Sequence, residues 1–244
     1  MTKRLYHLDS YLGEFGGIVR EILPDSSMVL DQTAFYPRGG GQPSDFGVIE
    51  HAGGRLRVVE GKDHGAFIAH VIEGIAPTAG QSVKGFIDWP RRYALMRMHS
   101  SAHVLAKIVH ARTGSLITGN QLDVHQSRMD FKVAEFNTDK AQSFIDEANA
   151  IVDRSLEITV SMLRVEEAMK KPELFRLKNV LPKELSVLRI VSIGDFDVQA
   201  DGGTHVKNTR EIGRLQLVKI ENKGKDNRRI YWSLNREGRR EIDA

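Results

Sequence analysis

PRRYALMRMHSSAHVLAKIVHAR, residues 90–112, is the stretch on which the fold turns. It holds no glycine, and its one proline stands first, where a helix has no internal hydrogen bond to lose. Leu95, Met98, Ala102, Leu105 and Ile108 recur every three or four residues, the period of one helical face. The spacing predicts a helix over 90–112. His99 and His103 lie four apart within it, so both imidazoles project from one face within reach of a single metal ion. Buried, hydrogen-bonded helix histidines beside Met98 and Ala102 are the alternative reading of that pair. His110 stands about 10 Å further along the axis than His103, too far to share the same site.

On the N-terminal side the period changes. Short alternating or β-branched runs at 15–23, 27–31, 46–50, 55–60, 66–73 and 82–88 are broken by Gly, Pro and Asp, which predicts a small β-barrel or sandwich over residues 1–89. Inside it lies LDQTAFYPRGGGQPSD, residues 30–45. Three consecutive glycines are entropically costly, so they mark either an unusual turn or a close approach of backbone to another molecule. The loop lacks the Lys-Ser/Thr of a nucleotide-binding P-loop, which argues against ATP.

On the C-terminal side a second helix is predicted over 138–156, capped by Asn137 or Thr138, with Phe144, Ile145, Ala148, Ile151 and Val152 facing inward. Ile158, Val160 and Met162 read as a strand, 165–171 as a short helix stopped by Pro172, and 186–193 as another strand. Residues 214–221 and 228–234 form a hairpin around the turn-rich NKGKDN at 222–227. The fold class expected is α+β: an N-terminal small β-barrel domain, then an α/β domain over 90–244 with helices packed on an antiparallel sheet. Within the second domain, Asp201-Gly202-Gly203-Thr204-His205 can aim a carboxylate and an imidazole at one point, or be an ordinary turn.

The 244 residues are long enough for one large core or two modest ones, and contain no cysteine. Disulfides are thereby excluded, and a metal must be held by His, Asp, Glu or backbone oxygen. No apolar run approaches the roughly 20 residues of a membrane span, and the N-terminus lacks the apolar stretch of a signal peptide. A cytoplasmic protein with no membrane partner is expected. Residues 219–244 carry eight Lys or Arg against five Asp or Glu, which accounts for the whole net charge of +3. Lys223, Lys225, Arg228 and Arg229, followed by Tyr231 and Trp232, suit either an RNA backbone with a stacked end or a solvated charged hairpin.

Three segments taken together resemble the editing domain of alanyl-tRNA synthetase and its free-standing relatives, the AlaX trans-editing proteins. They are LDQTAFYPRGGGQ at 30–42, RMHSSAH at 97–103, and GGTHV at 202–206 with Asn208-Thr209 and Glu211-Ile212-Gly213 behind it. They follow the family's order across nearly the whole chain. The resemblance implies one zinc ion per chain, held by His99, His103 and His205. Its fourth ligand, a cysteine in the family, falls at Asp201. A carboxylate binds zinc at about 2.0–2.2 Å where sulfur binds at about 2.3 Å; were Asp201 to turn away, three histidines and an open position would remain.

The resemblance also implies a hydrolase that removes serine, and also glycine, from the acceptor end of alanine tRNA. With its own Met1 and no aminoacylation motif, the chain is expected to act in trans. Thr33 falls at the family's residue for the serine hydroxyl, with Gln42 as second choice. Gly40 and Gly41, with Gly39, are candidates for oxyanion or ribose contacts. Arg91, Arg92 and Arg97 by the helix, and Arg228 and Arg229 in the tail, are candidates for phosphate contacts, or simply solvated side chains. A monomer is expected. The competing functions are a tRNA-binding protein with a degenerate site, and a protein whose metal is a structural staple.

Overall fold

The computed structural model describes residues 1–133, 136–175 and 186–235. It divides into two compact units, Met1–Met96 and Arg97–Ala244. The division falls inside the long helix rather than ahead of it at residue 90.

The first unit contains β1 (Lys3–Arg4), β2 (Glu14–Ile22), β3 (Met28–Leu30), β4 (Gln32–Thr33), β5 (Gly47–His51), β6 (Gly54–Asp63), β7 (Ile68–Glu73) and β8 (Ser82–Ile87). The six runs anticipated from alternation are the six strands of a closed barrel, in the order β2-β3-β7-β6-β5-β8. Closure leaves no unpaired edge. Phe15, Leu30, Phe35, Ile49, Leu56 and Val83 are among the residues that fill the interior. Phe15 and Phe35 meet edge to face, with centroids 5.6 Å apart. Gly85 is required there, because a Cβ on it would lie 2.3 Å from Phe15 Cε1. The remaining pair, β1 and β4, is parallel and two residues long, too short to show any period.

Helix α1 (Trp89–Thr113) follows directly. Arg91 N–H is capped by Asp88 Oδ1 at 3.2 Å, and the helix ends at Gly114, left-handed at φ 69°, whose N–H returns to His110 O. The five residues of the predicted stripe are buried, and so are Met96, Val104 and Val109 around them.

The second unit continues with β9 (Ile117–Gln121), β10 (Ser127–Lys132), α2 (Thr138–Asp153), β11 (Ile158–Arg164), α3 (Val165–Ala168), β12 (Val187–Ile193), β13 (Asp197–Ala200), β14 (Leu215–Asn222) and β15 (Asn227–Leu234). Asn137 caps α2 by accepting from Lys140 N–H at 2.9 Å, and the stripe from Phe144 to Val152 is buried. The helix stops at Asp153, short of the expected 156, because Ser155 turns left-handed at φ 54°. Where one sheet was expected there are two, both antiparallel: β14-β15-β10-β9 and β11-β12-β13.

Strands β9, β10 and β13 were not foreseen. In β10 the apolar Met129 and Phe131 alternate with Arg128 and a buried Asp130, whose charge is met by Arg229 directly across the β10–β15 pair at 2.6 and 2.8 Å. In β13 the alternation is inverted. Asp197 and Gln199 point inward, bonded to each other, while Val198 faces solvent. A period read on hydrophobicity alone misses a strand whose buried face is polar.

Candidate metal centre and glycine-rich loop

Two elements of the second unit build the ligand cluster. Helix α1 presents His99 and His103 from successive turns, and the turn after β13 presents Asp201 and His205. One donor atom from each of the four lies within 4.8 Å of every other. The ring centroids of His99, His103 and His205 are 4.4–5.1 Å apart. Asp201 sits among them, with Oδ1 2.9 Å from His205 Nε2 and 3.9 Å from His103 Nε2, and Oδ2 3.6 Å from His99 Nε2. These spacings bracket the edge of about 3.3 Å of a tetrahedron built on bonds of about 2.0 Å. The three imidazoles are buried, while the Asp201 side chain keeps 18% of its surface. His110 is turned to Ser115 O, outside the cluster.

The elements are shaped to bring these groups together. Gly203 lets His99 pack onto its backbone: a Cβ there would fall 2.1 Å from His99 Cε1 and 2.3 Å from Nδ1. Gly203 N–H donates to Asp201 Oδ1 at 2.8 Å and holds the carboxylate in place. Ser100 Oγ lies 3.1 Å from His205 Nδ1 and accepts from Val206 N–H at 3.3 Å, so the ring nitrogen away from the cluster is also tied. Ser101 has another task. It accepts from the indole N–H of the fully buried Trp232 at 2.9 Å. Trp232 is therefore core and offers no ring for stacking, and the basic segment folds as a hairpin up to Asn235; residues 236–244 lie outside the described residues.

The electrostatics suit a cation. Burial is the main cause that lowers His99 to about 4, with His103 and Arg189 adding to it against the pull of Asp201. Burial, followed by His99, holds His205 well below its ordinary value. For Asp201, burial opposes ionisation, but the imidazoles of His99 and His205 outweigh it and keep the carboxyl well below the usual range. Neutral imidazoles at His99 and His205 and an ionised Asp201 are the protonation states a metal requires. One buried nitrogen, His103 Nδ1, has no hydrogen-bond partner among the described residues. A group of two formal positive charges fits this donor set.

In the first unit the glycine-rich loop resolves into a two-residue turn. Gly39 and Gln42 exchange both backbone hydrogen bonds, at 3.1 and 2.8 Å, and Gly40 and Gly41 between them have φ of 58° and 88°. Two positive angles in succession are those of a type I′ turn, which accounts for both glycines. Gln42 is fully buried. So is Thr33, whose Oγ1 is 2.9 Å from His70 Nε2 and accepts from Phe35 N–H at 3.1 Å. His70 was not singled out from sequence. Its signal is its place at an inward position of β7, between Ile68 and Ile72. Burial lowers it to about 4, opposed by its bond to Met28 O, so the ring is neutral. Its Nδ1 must donate to the Met28 carbonyl at 2.9 Å, leaving Nε2 an acceptor; the Thr33 hydroxyl therefore donates its proton to His70.

The five arginines are all engaged within the fold. Arg92 has no exposed surface: it pairs with Asp45 and donates to Ser10 O and Ala34 O, so it presents nothing to an outside phosphate. Arg91 donates to Ser44 O, and its guanidinium lies over the Phe46 ring at 3.8 Å. Arg97 bonds Ile212 O and Asn235 O, both at 3.0 Å. Arg228 is tied to backbone carbonyls of its own turn, and Arg229 to Asp130.

Comparison with known proteins gives relatives over the full length. Residues 188–231 match the family described as the threonyl and alanyl tRNA synthetase second additional domain, and residues 18–91 match class II (A) tRNA synthetases. The chain is 42% identical over 241 residues to the alanyl-tRNA editing protein AlaX-M of Methanosarcina barkeri, covering 96% of this chain and 99% of that one. It is 40% identical over 237 residues to the AlaX-M protein of Saccharolobus solfataricus, with the same coverage. Against the alanine–tRNA ligase of Pyrobaculum aerophilum the identity is 40% over 228 residues, covering 90% of this chain and 25% of the ligase. With its three motifs folded into one ligand cluster and one glycine turn, and its length matched almost end to end by those relatives, the chain belongs to the AlaX-M family of alanyl-tRNA editing proteins.

Proposed function

We propose that this protein is a metal-dependent aminoacyl-tRNA deacylase of the cytoplasm that removes serine, and also glycine, from alanine tRNA in trans. The observation that carries the reading is the convergence of His99, His103, Asp201 and His205, with donor atoms within 4.8 Å of one another. The near-complete coverage of relatives named alanyl-tRNA editing protein supports the choice of substrate.

The chain's own residues divide the work. His99, His103 and His205 would hold the ion, the first and last kept neutral by burial, and Asp201, kept ionised, would add the negative charge. A carboxyl held so far below its usual range is a weak base, so Asp201 binds and does not shuttle protons. Zinc in such a site supplies Lewis acidity that polarises an ester or acidifies water to near pH 7.

In the barrel unit, Thr33 is the proposed partner for the serine hydroxyl. Its proton goes to His70 and one lone pair to Phe35 N–H, so one lone pair is left and the group can only accept. Serine brings the O–H that such a group needs and alanine brings none, so this contact favours serine over alanine, while glycine does not use it. Gly40 and Gly41 amides, and Gln42, are proposed to line the path of the ester and ribose. Arg91 and Arg228, both half-buried at the surface, are the proposed phosphate contacts.

The test is release of labelled serine from seryl-tRNA(Ala), with alanyl-tRNA(Ala) alongside, for the protein with and without chelator and for Asp201→Ala. Chelator-sensitive serine release that leaves alanine in place is the expected result. A folded, metal-loaded protein that releases neither amino acid refutes the enzyme reading.

A further inference from the structure

The turn that carries two of the four ligands contains two adjacent glycines, the residues least able to hold a backbone in one conformation. Something outside the turn must fix it if Asp201 and His205 are to meet the helix histidines. Arg189, on β12, is buried to 7% and reaches the turn twice. Its backbone carbonyl accepts from Asp201 N–H at 3.0 Å, one rung beyond the last β12–β13 pair, Ile190 with Ala200. Its Nη1 then donates to Asp201 O at 3.1 Å and to Gly203 O at 2.8 Å. The two carbonyls lie on either side of Gly202, so one guanidinium nitrogen spans the glycine pair. Because a trans peptide sets its N–H opposite its C=O, fixing these carbonyls also turns the Gly202 and Thr204 amides away from the guanidinium.

We propose that Arg189 is the positioning residue of the metal centre: it holds the Asp201–Gly203 turn in its binding conformation before the ion arrives. The inference rests on the metal reading above and goes beyond it, because Arg189 offers no ligand atom and carries the wrong charge to be one. Without it the turn must be ordered at the moment of binding, and the ordering cost appears as lost affinity. Residues that orient metal ligands from outside typically account for 10–100-fold in affinity. Lysine is a poor replacement, since one flexible ammonium lacks the planar fork that is pre-organised for fixed hydrogen-bond geometry.

The experiment compares the unsubstituted full chain with Arg189→Lys and Arg189→Met, each checked for fold by far-ultraviolet circular dichroism. Zinc affinity is measured by competition with a chromophoric chelator, and ligand geometry by the visible absorption of the Co2+-loaded protein at saturation. Arg189→Met is expected to lose about 10–100-fold in zinc affinity and to show altered Co2+ bands, with Arg189→Lys in between. The band change at saturating metal separates positioning from a general loss of stability. If Arg189→Met fails to fold, Arg189→Lys decides. A folded variant whose affinity is within about twofold of the unsubstituted protein, with the same Co2+ spectrum, overturns this inference alone. No metal binding by the unsubstituted protein overturns the metal reading and this inference together.

Discussion

A single absent carbon sets how near His99 comes to its partners. Gly203→Ala puts a methyl 2.1 Å from the imidazole, so ring or turn must shift. Zinc affinity is expected to drop at least about tenfold with the fold retained, as read by chelator competition. Thr33→Val removes the proposed acceptor, and serine release should fall about tenfold while glycine release, which needs no hydroxyl partner, stays level in parallel deacylation assays. His70 makes a pH prediction. Its folded value of about 4 lies below the unfolded 6.5, so the unfolded chain binds the proton first, and stability is lost as pH falls from 6.5 towards 4. Against His70→Gln, the unsubstituted protein should lose about 2 kcal/mol more between pH 7 and pH 5 by urea denaturation. The histidines of the centre were legible because a motif names them. His70 was not, because a lone imidazole among β residues shows its role only once Met28 O and Thr33 are seen on its two nitrogens.

At the scale of elements, burial and period carried the reading where they agreed and failed where charge was buried. All six barrel runs and both long helices were legible from apolar spacing. Strand β13 was not, since Asp197 and Gln199 occupy its inward positions and are bonded to each other; in β10 the apolar pair Met129 and Phe131 is too short a run to stand out beside Arg128 and the buried Asp130, which Arg229 satisfies from far along the chain. Arg92 was misjudged for the same reason. On a helix otherwise judged by its apolar stripe, an arginine reads as exposed, yet this one anchors the first turn of α1 to Ser10, Ala34 and Asp45. Arg92→Met strands the Asp45 carboxylate in the interior and is expected to cost about 3–5 kcal/mol in urea denaturation. Ser101→Ala, which leaves the Trp232 indole N–H unpaired, should cost about 1–3 kcal/mol by the same measurement.

For the whole molecule, the metal reading ties ligand binding to global stability. An ion that binds only the folded chain stabilises it by about 2.7 kcal/mol at about a hundred times Kd, so zinc should raise the thermal midpoint of the chelated protein. If the ion is catalytic, the chelated protein keeps its circular dichroism and loses serine release. If it is a staple, chelation removes both. The ligand cluster has one more consequence. With no cysteine anywhere in the chain, the ligand cluster contains no sulfur to climb from sulfenic to sulfonic acid. Peroxide, which strips zinc from thiolate sites by oxidising the ligand, finds here only imidazole and carboxylate. Metal binding by this cluster, and any editing that depends on it, is therefore expected to survive peroxide.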